Sequence, residues 1–287
     1  MKLSIITINY NNAAGLKKTL DSVAIQTYTD FEYIIVDGAS SDGSVDIIRE
    51  YDITSHLSRV PDKVHDFVGC SSPLASRLKW ISEKDTGIYN AMNKGIKMAS
   101  GEYLLFLNSG DFLVNGNVLA EVFQNDCYSD ILCARCNVSD NGKVIWTSNP
   151  PEKVTFGTLY LIGLAHQSTF IRKSLFEQYG YYDESYRYNA DIEFWYRSII
   201  EHAVSTQRID VITTDYNLDG ISSTESRSVK YKEEMDKILA PYCIFTKDYD
   251  FFNLREKDIY IYDWLKSKTI LYKLNLLLYK IDRKLFK

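Results

Sequence analysis

The sequence contains no apolar run long enough to cross a bilayer, which takes ~18–20 residues, so no spanning helix is expected. The N-terminal MKLSIITINYNN is apolar over too few residues for a leader and reads as a strand. Cysteine is sparse: Cys70, Cys127, Cys133, Cys136 and Cys243 are odd in number and irregular in spacing. That argues against a disulfide framework and is the usage expected of reduced thiols in the cytosol. Cys133-Ala-Arg-Cys136 is a lone CxxC, whereas a structural zinc site takes four ligands. The four histidines offer no metal-ligating pair at helical spacing. Two phosphate-binding signatures are missing as well. No GxGxxG follows the first apolar run, which counts against a dinucleotide fold, and no GxxxxGK precedes a Ser or Thr.

What is present suits an ordinary globular enzyme. The 287 residues, 45% apolar and 25% charged, allow one large domain or one domain with an appendage. Tyrosine is abundant, with 22 residues, as on many binding surfaces. The net charge of −5 is unevenly spread: residues 260–287 hold seven Lys or Arg against Asp263 and Asp282. An acidic body argues against nucleic acid as the partner. The basic tail, interleaved with Trp264, Leu271, Leu274, Leu278 and Ile281, predicts either an interfacial helix on an anionic membrane or a helix packed on protein.

Along the chain, Leu3 to Ile8 and Phe31 to Val36 read as buried strands, each followed by a helix. In the first helix Leu16, Leu20 and Val23 share a face; Ser40-Ser41-Asp42-Gly43 can cap the second. This βαβα order predicts a parallel sheet with right-handed crossovers. Residues 53–77 lack a period and read as a long loop or insertion. Strands near 78–81 and 102–107 flank a helix over 87–98. Beyond them come a helix at 115–124, strands at 130–138 and 143–148, and a less regular segment from Pro150-Pro151. A strand at 167–172, helices at 173–179 and 190–202, a strand near 207–213 and a helix over 226–240 complete the pattern.

Ligands of such sheets bind beyond the carboxyl ends of the strands. Asn9 to Asn12, Asp37, Glu83 to Asp85 and Asn108 to Asp111 each follow a strand, so four strands deliver polar groups to one edge. Asp37 suits either an Asp-Gly turn or a hydrogen bond to a base or ribose. Asp85 either caps the helix that follows or faces a ligand, and Lys94 is either solvated or in reach of a phosphate. Asp111 follows the small turn Ser109-Gly110. One such carboxylate can hold a hard divalent cation if a diphosphate brings further oxygens. Asp191 and Glu193 diverge by about 200° on a helix, so one can enter a cleft while Glu193 pairs with Arg197 at i+4, or Asp191 can act as a cap. His166, before Gln167, is either a structural hydrogen-bonder or a site residue.

The ordered set TINYNN, VDGASSDGS, SEKDTGIYNAMNKG, GEYLLFLNSGD, HQSTF and ADIEFWYR resembles the family 2 glycosyltransferases of the GT-A fold, over roughly residues 1–220. The third and fourth motifs are similar to those of bacterial enzymes of capsule, exopolysaccharide or O-antigen synthesis. The resemblance implies an α/β, Rossmann-like mixed sheet flanked by helices. It divides the chain into a GT-A domain at 1–225, with a nucleotide-binding half at 1–112 and an acceptor half at 113–225, and a helical C-terminal extension at 226–287.

The resemblance also implies an inverting transfer from a nucleotide-diphosphate sugar, usually UDP-linked, with Mn²⁺ or Mg²⁺ as cofactor. Thr7, Asn9, Tyr10, Asn11, Asp37, Asp85, Lys94 and Asn108 are then the nucleotide-side residues, Asp111 the metal ligand and Asp191 the general base. His166, Gln167, Glu193 and Trp195 are the acceptor-side candidates. Two departures from the family pattern stand out: Asn108, Ser109 and Gly110 replace further carboxylates of the metal motif, and Ala190 stands where a Glu is usual. The expected acceptor is a glycan or a polyprenyl-diphosphate-linked glycan, met at the inner face of the cell membrane through residues 260–287; self-association is left open. The competing functions are a sugar-nucleotide nucleotidyltransferase, disfavoured because TINYNNAAG is not a Gly-rich basic loop, and a catalytically inactive carbohydrate-binding relative.

Overall fold

The computed structural model describes residues 1–57, 74, 76–124, 129–140, 142–217 and 228–242. The chain divides into two compact units, Met1–Met235 and Asp236–Lys287. Described residues of the second are the end of a helix and the short turn Ala240–Tyr242. The amphipathic tail therefore lies outside the described residues, and with it the predicted membrane contact. No helix among the described residues is long and apolar enough to cross a membrane.

The first unit is built on one sheet, which has nine strands among the described residues. Its first half is parallel: β3 (Leu78–Ser82), β2 (Phe31–Asp37), β1 (Leu3–Asn9) and β4 (Tyr103–Phe106) lie side by side in that order. All seven residues of β2 and all four of β4 are buried, the continuous burial of strands covered on both faces. Helices α1 (Ala13–Ala24), α2 (Ser44–Leu57) and α3 (Ile88–Met98) make the crossovers. Asp42 ties two of them together, accepting from Ser44 N at 3.1 Å and Ala13 N at 2.8 Å. The predicted loop at 53–77 is thus shortened from the front, because α2 runs on through Leu57; residues 58–73 and 75 lie outside the described residues.

The sheet then changes character. The short β5 (Phe112–Leu113) and helix α4 (Val118–Phe123) lead into β6 (Ile131–Asp140), which forms a hairpin with β7 (Lys143–Thr147). Strand β8 (Thr169–Arg172) runs antiparallel to both β4 and β6, and β9 (Thr206–Asn217) lies parallel to β6 and antiparallel to β5. The expected strand at 167–172 begins as a single 3₁₀ turn, His166–Ser168. The expected helix at 190–202 is α7 (Ala190–Trp195) followed by a π-helical turn, Tyr196–Glu201. Helix α5 (Phe156–Leu161) occupies the segment read as irregular, started by a Thr155–Thr158 capping box. Helices α6 (Ser174–Tyr179) and α8 (Val229–Leu239) complete the described elements.

One core cluster lies between the sheet and α1, α2 and α4, with Leu16, Leu20, Val23, Leu119 and Val122 closing on Leu3, Ile5, Leu105 and Phe170; outside it Phe106, Phe176 and Phe194 are buried against one another. Cys133 and Cys136 are buried on β6, and burial pushes the Cys133 thiol up to about 12, far from a reactive thiolate.

Candidate active site

A cleft of about 910 Å³ opens at the carboxyl ends of β1 and β4. One wall is Asn9 and Tyr10 from the end of β1, Asn12 and Lys18 from α1, and Asp85 and Gly87 before α3. The floor is the turn Asn108–Asp111. The opposite wall is His166 and Gln167, Asp191 and Ile192 of α7, and three tyrosines, Tyr188, Tyr216 and Tyr231.

The floor is held rigidly. Asn12 caps α1 by accepting from Gly15 N at 3.1 Å, and its amide donates to Ser109 O at 3.0 Å. Thr19 Oγ1 accepts from Gly110 N at 3.0 Å and donates to Asp111 O at 2.7 Å. Gly110 has φ +109°, a conformation side chains resist. That turn swings Asp111 back over the end of β4. Its carboxylate is 8% exposed, and burial without a compensating donor pushes it up to about 7; the charges of His166 and Lys18 pull it down, and that of Asp215 pushes with burial. Nearby, Asn108 Oδ1 is buried with no partner.

Asp37 is the reverse case. It is fully buried, and its oxygens accept from Asn9 Nδ2 (2.8 Å), Ser40 Oγ (2.6 Å), Ser40 N (2.9 Å) and Ser82 Oγ (2.6 Å). Burial alone would raise its pKa, but those donors outweigh it and lower it. All four of these donors come from the chain itself, so a nucleoside base would have to take the place of one of them. Asp85 is more available. Its Oδ1 accepts from Gly87 N at 3.0 Å, while a Cβ at Gly38 would stand 2.8 Å from its Oδ2. The glycine thus lets β2's turn approach the Asp85 carboxylate. Gly87, with no side-chain cap, starts α3.

On the far wall, Asp191 sits in the first turn of α7, 14% exposed. Its Oδ2 is 3.1 Å from His166 Nδ1, and its Oδ1 accepts from Tyr89 Oη at 2.9 Å. Burial opposes ionisation here, yet the His166 hydrogen bond and charge, the Tyr89 hydroxyl and the Ile192 backbone keep the pKa lowered. Burial likewise opposes charge on His166, but the bond to Asp191, its charge and that of Asp111 prevail, and the pKa is raised. His166 Nε2 meets Asn108 Nδ2 at 3.2 Å. This amide orientation goes with a neutral ring protonated at Nδ1; the charged ring requires the amide turned so that its oxygen accepts.

Several candidates fall elsewhere. Thr7 is fully buried, donating to Leu107 O at 2.6 Å beside Tyr33 Oη, so it braces β1 against β4 below the cleft. Asn11, at φ 48°, accepts from Ser41 N at 2.8 Å and joins two loops. Lys94 is bound to Glu83 at 2.8 Å and to Lys84 O at 3.0 Å, closing the loop before α3 instead of reaching the cleft. Glu193 pairs with Arg197 through both oxygens, at 2.9 and 2.8 Å. Arg197 also binds the carbonyls of Gly180 and Tyr181, so Glu193 holds a loop and does not line the cleft. Trp195 is 1% exposed against Phe194, not a platform at the cleft. Conversely, Lys18, Tyr188, Tyr216 and Tyr231 line the cleft and carried no pattern of their own, while Asn12 and Tyr89 stand within TINYNN and SEKDTGIYNAMNKG without a role assigned to them. The position of Lys18, off the apolar face of α1, was the sole available hint.

The family model described as Glycosyl transferase family 2 matches residues 4–182. The chain is a family 2 glycosyltransferase. It is 31% identical over 230 residues to a PGL/p-HBAD biosynthesis glycosyltransferase of Mycobacterium bovis (strain BCG / Pasteur 1173P2), spanning 77% of this chain and 79% of that protein. Among solved structures it is similar to Staphylococcus aureus TarS 1–349 in complex with UDP-GlcNAc, with TM-score 0.56 and 21% identity over 76% of this chain and 58% of that one. Mannosyltransferase PcManGT from Pyrobaculum calidifontis, in complex with GDP-Man and Mn²⁺, gives TM-score 0.58 and 15% identity over 84% and 64%. Against a longer TarS chain the match spans 37% of its length. The mixed sheet with flanking helices is the GT-A fold of these glycosyltransferases.

Proposed function

We propose that this glycosyltransferase moves a sugar from a nucleotide-diphosphate donor, UDP-linked, to a hydroxyl of a glycan or lipid-linked glycan in bacterial surface-polysaccharide synthesis, with inversion. The observation that carries this reading is the pairing of two unlike carboxylates across one cleft: Asp111 bare on the floor, Asp191 hydrogen-bonded and ionised on the wall. Donor complexes of the two GT-A neighbours support the donor class.

The residues fit a divalent cation. Asp111 is a buried carboxylate that burial alone leaves poorly ionised, and Asn108 Oδ1, in the amide orientation that goes with a neutral His166, is a hard oxygen without a partner. Among the described residues no cluster of three or more His, Cys, Asp or Glu could hold a metal ion, so the diphosphate and water would complete the shell around Asp111. When bound, the cation offsets charge developing on the departing diphosphate. Lys18, above Phe112 at 3.7 Å, adds a positive charge on the same side. Asn9, Tyr10 and Asp85 line the end where the nucleoside fits, Tyr10 being 69% exposed and free to lie against a base. Asp191 takes the proton of the acceptor hydroxyl as its oxygen attacks the anomeric carbon, while His166 and Tyr89 hold the carboxylate on line. Gln167 and the three tyrosines form the acceptor side.

The test is a screen of UDP-, GDP- and dTDP-sugars for nucleotide release with Mn²⁺ or Mg²⁺, beside Asp111→Ala. Release from one donor, lost in the variant, is the expected result. Pyrophosphate in place of nucleoside diphosphate as product would turn the reading to nucleotidyl transfer. Nucleotide binding without turnover of any donor, with or without added lipid extract as acceptor, would favour an inactive relative.

A further inference from the structure

The base on α7 is reached by a segment, 180–189, that has almost no regular structure of its own. Its last three residues converge on one side chain from a distant part of the chain. Glu234 of α8 is 7% exposed, and its carboxylate accepts from Arg187 N at 2.7 Å, Tyr188 N at 3.0 Å and Asn189 N at 3.2 Å. Asn189 Nδ2 adds a fourth contact at 3.2 Å. Asn189 is the N-cap of α7, and its own side chain makes no cap hydrogen bond.

A buried carboxylate is costly unless its charge is met, and here backbone amides meet it. The same peptide segment is held from the other side as well. Tyr89 Oη lies 2.7 Å from Tyr188 O and 2.9 Å from Asp191 Oδ1. Tyr188 is therefore tied at its N–H to Glu234 of α8 and stands at its carbonyl beside the Tyr89 hydroxyl of α3, one residue before the cap and three before Asp191. Helix α8 is also part of the cleft: Tyr231, three residues before Glu234 and so on the same helix face, lines it, and its carbonyl accepts from Asn189 Nδ2 at 3.2 Å.

We propose that Glu234 is a positioning residue for the transfer reaction: its carboxylate gathers the amides of 187–189 and so fixes where Asp191 enters the cleft. The proposal rests on the reading of Asp191 as the base. Glutamine in its place keeps the size but offers one acceptor oxygen, and its amide group then faces backbone donors with a donor. Aspartate keeps the charge but is a methylene short. A displacement of about 1 Å at the base costs on the order of 10²-fold in rate, and it also breaks the Asp191–His166 contact.

The experiment compares Glu234→Gln, Glu234→Asp and Asp191→Asn in the full chain. One readout needs no substrate: the backbone amide resonances of residues 187–192 by NMR, where the Ile192 amide is hydrogen-bonded to Asp191. The other readout is nucleotide release from the donor that the screen identifies. Expected for Glu234→Gln are displaced amide resonances at 187–189 and at Ile192, and a kcat reduced on the order of 10²-fold with donor KM unchanged. Glu234→Asp should recover part of both. An unmoved Ile192 resonance, or a loss carried wholly by KM, would overturn the proposal. If Glu234→Gln does not fold, Glu234→Asp decides, since wild-type kcat and Ile192 resonance there also overturn it. Unimpaired release by Asp191→Asn would instead sink the base reading, while the amide resonances still report whether Glu234 holds the segment before Asp191.

Discussion

The end of β2 and the end of β4 lie on the same edge of the sheet, and each carries an aspartate, yet the two are treated oppositely. At β2, Asp37 is surrounded by donors from Asn9, Ser40 and Ser82, and its pKa is lowered. At β4, Asp111 is almost as buried but receives no hydrogen bond that lowers its pKa, which rises to about 7. The first carboxylate is complete within the folded chain and serves to join three strand ends. The second is left electrostatically unfinished, as a binding site must be before its ligand arrives. Burial alone therefore does not distinguish these two strand-end carboxylates; the donors around each one do.

The largest expected effect comes from the opposite wall. Asp191→Asn should lower nucleotide release by 10²–10⁴-fold, the range typical of a lost general base, without changing UDP affinity measured by calorimetry. Next, Asp111→Asn should remove the enhancement of UDP binding by Mn²⁺, roughly tenfold or more, while leaving metal-free affinity unchanged or improved. Asp37→Asn should do the reverse: its amide would face donors, costing about 3 kcal/mol in urea unfolding, with the Mn²⁺ enhancement retained by whatever protein still folds. An Mn²⁺ effect lost equally in both variants would erase the contrast.

The smallest test uses a third carboxylate from the finished half. Glu32, 2% exposed, is opposed by burial but held by Lys79, Ser4 and Ser100, and its pKa falls to about 2. A depressed carboxylate contributes stability that is present above its unfolded pKa of 4.5 and is lost as pH falls through about 2. At most about 3.5 kcal/mol is at stake, at about 1.4 kcal/mol per unit. Glu32→Gln should flatten the acid limb of stability between those values, and an unchanged limb would refute this account.

The same division governs what could be read in the sequence. The parallel half was legible because each apolar run ends abruptly in a polar turn, and TINYNN, VDGAS, SEKDTG and LNSGD mark those ends. Even there, individual residues misled. Thr7 and Lys94 stand within the right motifs but point into the strand contact and the Glu83 pair. In the antiparallel half β5 has two residues, too few for any period, and α5 follows two prolines that suggested irregular chain. Glu193 behaved as the i+4 spacing to Arg197 allowed, whereas Trp195, an acceptor-side candidate, is buried in the core. Glu234 was illegible for a simpler reason. Its partners lie 45 to 47 residues away, and nothing local distinguishes it from a solvated helix glutamate.

Tyr89 has one hydroxyl proton and two oxygens within reach, Tyr188 O and Asp191 Oδ1. It can satisfy only one of them as a donor at a time. While Asp191 is a carboxylate, the proton belongs to it. In the proposed transfer, once Asp191 has taken the acceptor's proton, the neutral acid can donate to the tyrosine oxygen, and the hydroxyl turns to the Tyr188 carbonyl. A single bond rotation thus follows the proton transfer with no heavy atom moved, and the Tyr188 carbonyl receives the tyrosine's proton only once Asp191 is neutral. Tyr89→Phe would remove that rotor, and its catalytic deficit should exceed any fall in Tm; an unaltered rate would show that the carboxylate manages without it.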